Sequence, residues 1–206
     1  MEATSPTLNP ILLATGGNER LTREIKTEAP DLAIVQLASR AATGSIEAFE
    51  ELALRFEPRI YGFLFRHVGN AHDAQDLTQE TFVRAWRAIN RFDAQRDFAT
   101  WLFVIARRSA ANHFRARRAY EELDESVADQ CPIPDDRAAT DDDSDRLWHA
   151  AKKLKPKHYE ALWLRYAEDF SIAQTARVMG LTSLHVKVIL HRARKELARQ
   201  MKREDL

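Results

Sequence analysis

Apolar side chains recur along most of the chain at intervals of three and four residues, which is the spacing of one face of an α-helix. In the first half of the chain this spacing predicts helices over residues 31–42, 45–68, 71–90 and 97–119. Pro58 is predicted to open the second part of the second helix, because proline is favoured in a first helical turn. Glycine is scarce and no segment alternates apolar and polar residues, so the sequence predicts an all-α fold.

The third predicted helix has two faces of different character. Steps of about 100° per residue place an apolar set on one side, with Phe82 and Trp86 at its margin. The members of this set are Leu77, Thr81, Ala85, Ala88 and Ile89. The opposite side carries Val83 among four polar or charged residues, which are Asp76, Gln79, Glu80 and Arg87. This side is either a solvated surface, on which single exposed valines are common, or a protein-docking face.

The fourth predicted helix changes from apolar to basic along its length. It begins apolar on nearly every side between Phe98 and Ile105, which predicts deep burial or a partner on a second side. Its later turns carry a stripe of four arginines, with Phe103 and Phe114 at a neighbouring angle. The arginines are Arg107, Arg108, Arg115 and Arg118. Arginines beside aromatic rings suit a single-stranded nucleic acid, and the alternative is a core helix with an ordinary charged surface.

Residues 171–190 have the layout of a helix-turn-helix. Ser171 and Gln174 can form a capping box at the start of a first helix. Gly180 supplies the turn, and Thr182 can cap a second helix. Small or apolar residues are expected to fix the crossing of the two helices, namely Ala176, Val178, Leu181, Val186 and Leu190. The segment predicts a helix in the DNA major groove, and a purely structural hairpin is the alternative.

Charge divides the chain although its formal net charge is zero. Residues 101–120 hold five basic residues and no acidic one, whereas residues 121–146 hold eleven acidic residues and two arginines. Residues 147–206 are basic again, with thirteen basic residues against six acidic ones. The acidic strip also contains Pro132 and Pro134 and few large apolar residues, so it is predicted to be a flexible linker.

These boundaries predict two small helical domains, over residues 30–119 and 144–206, joined by an acidic linker over 120–143. Residues 1–29 mix Pro, Thr, Gly and Asn, and we expect a disordered tail there. The single cysteine, Cys131, excludes an internal disulfide, which fits a reducing cytoplasm. No segment reaches the roughly 20 apolar residues that a membrane-spanning helix needs, so membrane insertion is not expected.

Three ordered motifs give the chain a resemblance to a known family. They are DLTQETFVRAW at residues 76–86, FATWL at 98–102 followed by IAR at 105–107, and the helix-turn-helix ending in LHRAR at 190–194. In this order they closely resemble bacterial sigma factors of the extracytoplasmic-function group. The resemblance covers about residues 31–119, the sigma-2 domain, and residues 144–199, the sigma-4 domain. It implies a transcription initiation factor without catalytic residues, metal or cofactor.

The resemblance also implies partners and site residues. The sigma-2 domain would dock on the clamp helices of the largest catalytic subunit of core RNA polymerase, and the sigma-4 domain on the flap of the second-largest subunit. The docking residues would be Asp76, Gln79, Glu80, Val83 and Arg87. An anti-sigma factor is a further expected partner.

Promoter DNA would be recognised at two elements. A loop holding a flipped base and a helix holding the strand backbone would read the minus-ten element, on a support shaped by Phe98 and Trp101. The residues in contact would be Asp93, Gln95, Arg96, Arg107, Arg108, Asn112 and Arg115. The minus-thirty-five element would be read by Thr182, Ser183, Leu184, His185, Lys187, Val188, His191 and Arg192.

The second helix of the helix-turn-helix departs from the family at four positions. The family commonly reads GTVKSRLHRA where this chain has LHVKVILHRA at residues 184–193. Helical stepping puts Leu184 and Val188 together on the outward face, and Ile189 replaces an arginine at the edge of the core. The apolar pair either contacts thymine methyl groups or docks on a protein such as an anti-sigma factor. In the fourth helix, Arg108 stands where the family often has asparagine.

Two other functions are alternatives. His72 and Asp73 form the dipeptide of HD-type metal phosphohydrolases, but such sites need several converging ligands. A stand-alone helix-turn-helix regulator is the second alternative, and it would bind DNA without polymerase.

Overall fold

The computed structural model describes residues 31–93, 96–121 and 142–204. Every regular element in these ranges is helical, which confirms the all-α prediction. The predicted tail, most of the predicted linker and Gln95 lie outside the described residues. Within them, no helix combines the length and apolar character needed to cross a membrane.

The described helices form two compact units. The first contains α1 (Leu32–Ala42), α2 (Ile46–Val68), α3 (Ala71–Ala88), a 3₁₀ turn (Ile89–Arg91) and α4 (Phe98–Glu121). The second contains α5 (Asp142–Lys152), α6 (Pro156–Leu162), a π-helical turn (Trp163–Ala167), α7 (Ile172–Met179) and α8 (Ser183–Glu204).

Helices of the first unit begin where side-chain oxygens cap the backbone. Asp31 accepts a hydrogen bond from the N–H of Ala33 at 3.0 Å. Ser45 accepts one from Ala48 at 3.2 Å, and Asn70 accepts one from Asp73 at 2.8 Å. These caps satisfy donors that a helix leaves unpaired at its start. The four helices therefore begin within about two residues of their predicted positions.

Pro58 does not open a new helical part, because α2 runs through it without a break. The residue lies on the exposed side of the helix. Proline removes one backbone donor, and on that side the carbonyl left without a partner is open to water. The expected interruption is therefore wrong, whereas the predicted extent of the helix is confirmed.

The core of the first unit is built around α2, whose inner face is aromatic and aliphatic. Phe63 meets Phe103 of α4 with ring centroids 5.1 Å apart, and Phe56 meets Phe98 at 5.3 Å. Phe49 packs on Trp86 of α3 at 5.1 Å. These contacts fix which faces of α3 and α4 point outward.

The second unit places a hairpin of α7 and α8 on a base formed by α5 and α6. Trp148 of α5 packs on Trp163 with centroids 4.9 Å apart. His158 of α6 lies 3.0 Å from the carboxylate of Glu196 in α8. The second contact holds the middle of α8 against α6.

The helix-turn-helix has the caps and the turn that the sequence predicts. Ser171 accepts from the N–H of Gln174 at 3.2 Å, and its own N–H donates to the Gln174 side chain at 2.8 Å. Gly180 ends α7 with a left-handed φ of 65°, a conformation that glycine adopts without steric cost. The Thr182 hydroxyl accepts from the N–H of His185 at 3.2 Å at the start of α8. The capping box, the turn and the second cap are confirmed.

Candidate protein and nucleic-acid interfaces

One face of α3 points outward and carries all five residues predicted to dock on a protein. We call it the α3 polar face, and its members are Asp76, Gln79, Glu80, Val83 and Arg87. Val83 is 48% exposed at its centre. Glu80 is bound by Arg84 at 2.5 Å, and Asp76 lies 3.1 Å from His72. An exposed apolar side chain is thus surrounded by polar groups, two of which already have polar partners within the helix.

The inner face of α3 explains why the α3 polar face cannot turn inward. Leu77, Thr81 and Ala85 are buried. The hydroxyls of Thr78 and Thr81 donate to the carbonyls of Ala74 and Leu77, each at 2.7 Å, so these buried oxygens cost little. The helix is therefore locked in one orientation by its core side.

The segment between the 3₁₀ turn and α4 starts from an aromatic support. Phe92 lies 5.6 Å from Phe98 and 4.9 Å from Trp101, centroid to centroid. Asp93 and Arg96 then pair at 3.3 Å on the exposed side. Phe98 and Trp101 therefore both contact the aromatic residue that precedes this segment.

The outward face of α4 holds three exposed residues of the predicted minus-ten set. They are Arg108, Asn112 and Arg115, and we call them the α4 basic face. Arg107 is half-buried beside them. Trp101, Val104 and Ile105 are half-buried on the same side, one to three turns nearer the start of the helix. The apolar start of α4 is therefore not deeply buried on all sides.

Phe103 does not border the α4 basic face. It is 0% exposed, packs on Phe63 and has the guanidinium of Arg59 5.7 Å from its ring centroid. The expectation that it flanks a nucleic-acid stripe is wrong, because its angle on the helix falls against α2. Phe114 remains half-buried, with His113 beside it at 5.8 Å.

One contact of this unit was missed by the sequence reasoning. His113 of α4 lies 3.3 Å from the carboxylate of Asp73 at the start of α3. The pair joins the helix that carries the α3 polar face to the helix that carries the α4 basic face. Periodicity within one helix holds no signal for such a contact between helices.

The first turns of α8 present an apolar pair to solvent. Leu184 is 73% exposed and Val188 is 39% exposed. The other six residues predicted to contact the minus-thirty-five element are also exposed, and they are Thr182, Ser183, His185, Lys187, His191 and Arg192. Ile189 is buried, as are Val186 and Leu190, so the inward face is fully apolar.

The phosphohydrolase dipeptide does not form a metal site among the described residues. His72 turns to Asp76, whereas Asp73 turns to Asn70 and His113. In those same parts of the chain, no three side chains of His, Cys, Asp or Glu are grouped to hold an ion. The geometry gives this alternative no support.

Comparison with known proteins identifies both units. Residues 52–120 match the family model of sigma-70 region 2, and residues 144–197 match that of sigma-70 region 4. Because the first unit is also matched, a stand-alone helix-turn-helix regulator is not favoured.

Curated relatives carry the same description. The ECF RNA polymerase sigma factor BldN of Streptomyces coelicolor is 35% identical over 173 residues, which cover 81% of this chain but only 65% of BldN. The ECF RNA polymerase sigma factor SigC of Mycobacterium tuberculosis is 32% identical over 181 residues, covering 87% of this chain and 97% of SigC. RNA polymerase sigma factor CarQ of Myxococcus xanthus is 32% identical over 163 residues, covering 77% and 91%.

Solved structures agree with this grouping. CnrH, solved in complex with the cytosolic domain of CnrY, is 27% identical with a TM-score of 0.62, and the match covers 82% of this chain and 97% of CnrH. The sigma factor RpoE of Bartonella quintana, solved with the anti-sigma factor NepR, shares the fold with a TM-score of 0.64 at 24% identity, covering 76% and 98%. The chain therefore belongs to the sigma-70 family of RNA polymerase sigma factors, in its extracytoplasmic-function group, whose members direct RNA polymerase to promoters.

Proposed function

We propose that this sigma factor uses three separate faces to bind core RNA polymerase, to hold the melted minus-ten strand and to read the minus-thirty-five element. Residues 30–119 supply the first two faces, residues 144–206 the third, and residues 120–143 the connection between them. One observation carries the proposal. The α3 polar face, the α4 basic face and the exposed residues at the start of α8 all point outward, and the opposite face of each helix is buried.

The α3 polar face is the proposed site for the clamp helices of the largest polymerase subunit. Protein interfaces commonly combine a small apolar centre with a polar rim. Val83 supplies such a centre, and Gln79 and Arg87 supply part of the rim. The second unit is proposed to meet the flap of the second-largest subunit.

The α4 basic face is the proposed site for the minus-ten strand. Arg108 and Arg115 can follow phosphates, and Asn112 can donate to phosphate or sugar oxygens. The segment from Asp93 through Gln95 to Arg96 is proposed to hold a base flipped out of the strand. The packing of Phe92 on Phe98 and Trp101 supports a fixed position for Asp93, the residue that follows it.

The first turns of α8 are the proposed reader of the minus-thirty-five element. In helix-turn-helix proteins the start of the second helix contacts base edges in the major groove. The exposed residues between Thr182 and Arg192 occupy that position at the start of α8.

We further propose regulation by an anti-sigma factor and action in the cytoplasm, where polymerase is found. The solved complex of CnrH with the cytosolic domain of CnrY supports the first point, because a relative of this fold is held by another protein. We assign the chain no catalytic activity, metal or cofactor of its own.

Equilibrium binding to core polymerase tests the docking assignment. Gln79→Lys adds one positive charge beside Val83 on the α3 polar face, and we expect affinity to fall about tenfold or more, since an added charge that loses its water in an interface without a partner is costly. Glu50→Gln is the matched control, because it raises the net charge equally at an exposed position of α2. Labelled variants titrated with core enzyme give both affinities. Equal affinity of Gln79→Lys and the control would place docking elsewhere.

A further inference from the structure

Leu184 and Val188 are exposed although α8 has a well-filled buried face. The neighbouring apolar residues Val186, Ile189 and Leu190 fill the inward face of α8 and are buried. Leu184 and Val188 lie one turn apart on the opposite side, and burying them would require turning the whole helix out of its core. Their exposure is therefore a fixed property of this surface.

The surroundings of the pair favour DNA over a protein as the contact. The sequence has no acidic residue between Leu181 and Lys195. Lys187, His191 and Arg192 are exposed around the pair. The centres of protein interfaces are depleted of lysine, and their strongest contacts are usually Trp, Tyr or Arg rather than Leu or Val. A cationic surface with two small aliphatic groups suits a duplex, whose phosphates supply the negative charge.

We propose that Leu184 and Val188 each contact the 5-methyl group of a thymine in the major groove. The inference rests on the proposed function, in which the first turns of α8 enter the groove. The thymine methyl is the apolar group that a base pair presents there, and aliphatic side chains recognise it by contact.

The spacing of the pair sets the spacing of the thymines. Four residues along a helix rise ~6 Å, which is close to two base-pair steps of ~3.4 Å each. With the axis of α8 lying along the groove, Leu184 and Val188 reach base pairs separated by one intervening pair. Their positions are preorganised, because the Thr182 cap fixes the start of α8 and the buried Val186 fixes its rotation.

Replacement of thymine by deoxyuridine tests this contact, because it removes only the methyl group. Holoenzyme first selects its preferred upstream element from a random duplex pool, and each thymine of that element is then replaced singly. We expect two positions at which deoxyuridine weakens binding about fourfold, the effect of losing one buried methyl group. Leu184→Ala should abolish the response at one position and Val188→Ala at the other.

Leu54→Ala is the matched control, because Leu54 is 72% exposed on α2 and Leu184 is 73% exposed. It should leave both deoxyuridine responses unchanged, and all three variants should keep the thermal midpoint of the parent chain.

Deoxyuridine responses that are absent in the parent, or unchanged in Leu184→Ala and Val188→Ala, overturn methyl reading. Unchanged base preference at every upstream position in both variants assigns the pair to a protein contact instead. If the deoxyuridine test fails while the parent holoenzyme still transcribes from specific promoters, only the methyl contact is refuted. If the parent holoenzyme shows no promoter specificity, the proposed function itself is refuted.

Discussion

The outward faces of α4 and α8 are both cationic, but the two helices differ in where their large apolar side chains lie. On α4, Phe98 and Phe103 turn into the core, the apolar residues of the outward side stay half-buried in the first turns, and arginines dominate the exposed later turns. On α8, Leu184 and Val188 turn outward among the cations. The α4 basic face therefore offers a nucleic acid mainly positive charge, whereas the first turns of α8 offer positive charge together with apolar side chains.

This difference predicts different kinds of binding. Contacts from arginine to phosphate depend strongly on salt and carry little sequence information. Apolar contacts to base edges depend weakly on salt and discriminate between bases. We therefore expect the α4 basic face to supply much of the strand affinity and the first turns of α8 to supply upstream selectivity.

The largest expected effect is on α4. Replacing Arg108 and Arg115 together by Ala should weaken holoenzyme binding to a single-stranded minus-ten oligonucleotide about tenfold or more. The slope of log affinity against log salt should also fall by about 0.7 for each lost phosphate contact. Titrations at several salt concentrations measure both quantities.

The control for this prediction removes the same charge elsewhere. Arg40 and Arg55 are exposed on α1 and α2, and their joint replacement by Ala lowers net charge equally. It should leave the slope unchanged. An equal loss of slope in both double variants would mean that overall charge, rather than the α4 basic face, governs binding.

Much of this comparison could be predicted from the sequence, because α8 is a regular helix with clear caps. The turn residue Gly180 ends the preceding helix, and the capping residue Thr182 defines the start of α8. Stepping along the helix then predicts correctly that Leu184 and Val188 face outward and that Ile189 lies toward the core.

The errors came from contacts between helices. Phe103 lies at the border of the inner face of α4, and only the position of α2 decides that it is buried. The pair of His113 and Asp73 likewise depends on how α3 and α4 cross. Periodicity along one helix does not contain these contacts. Pro58 has a different cause: proline is favoured at the start of a helix, whereas α2 accommodates it at an exposed position in its interior.

The next effect concerns the turn that orients α8. Gly180 has a φ of 65° and no neighbouring atom within 4 Å of an added Cβ, so Gly180→Ala meets conformational strain rather than a clash. We expect a loss of about 1–2 kcal/mol in unfolding free energy. Upstream base preference should weaken with it. Chemical denaturation and promoter selection measure the two effects.

Gly44→Ala is the matched variant in the first unit. Gly44 has a φ of 104° and equally open surroundings, so its replacement should also destabilise the chain. It should leave upstream preference intact. If Gly44→Ala and Gly180→Ala alter that preference equally, α8 is not the upstream reader.

A smaller effect is expected at two serine caps of similar geometry. Ser171 and Ser45 each accept one backbone N–H at 3.2 Å, from Gln174 and Ala48 respectively. Each change to Ala should cost about 1 kcal/mol in unfolding free energy. Only Ser171→Ala should reduce discrimination at the minus-thirty-five element. If Ser171→Ala and Ser45→Ala discriminate equally between bases at the minus-thirty-five element, the capping box does not contribute to upstream recognition.

The smallest effect is a pH dependence at the start of α2. The pKa of Glu47 is lowered by a hydrogen bond from its own backbone N–H, then by the Ser45 hydroxyl and by Arg40. A lowered pKa in the folded state stabilises the protein above the ordinary glutamate value of 4.5, and this contribution is lost as pH falls through the lowered value. Glu47→Gln should therefore be slightly less stable at neutral pH, with the difference vanishing in acid. Unfolding curves at several pH values test this, and a difference that grows in acid would contradict it.

Reconstituted transcription tests the central claim most directly. The purified chain and core RNA polymerase are mixed with a library of promoter fragments, each component also being tested alone. We predict discrete start sites only when both are present, with upstream and downstream elements at fixed distances from each start. Tight, sequence-selective binding by the isolated chain, without any new start site on addition of core enzyme, would contradict the account.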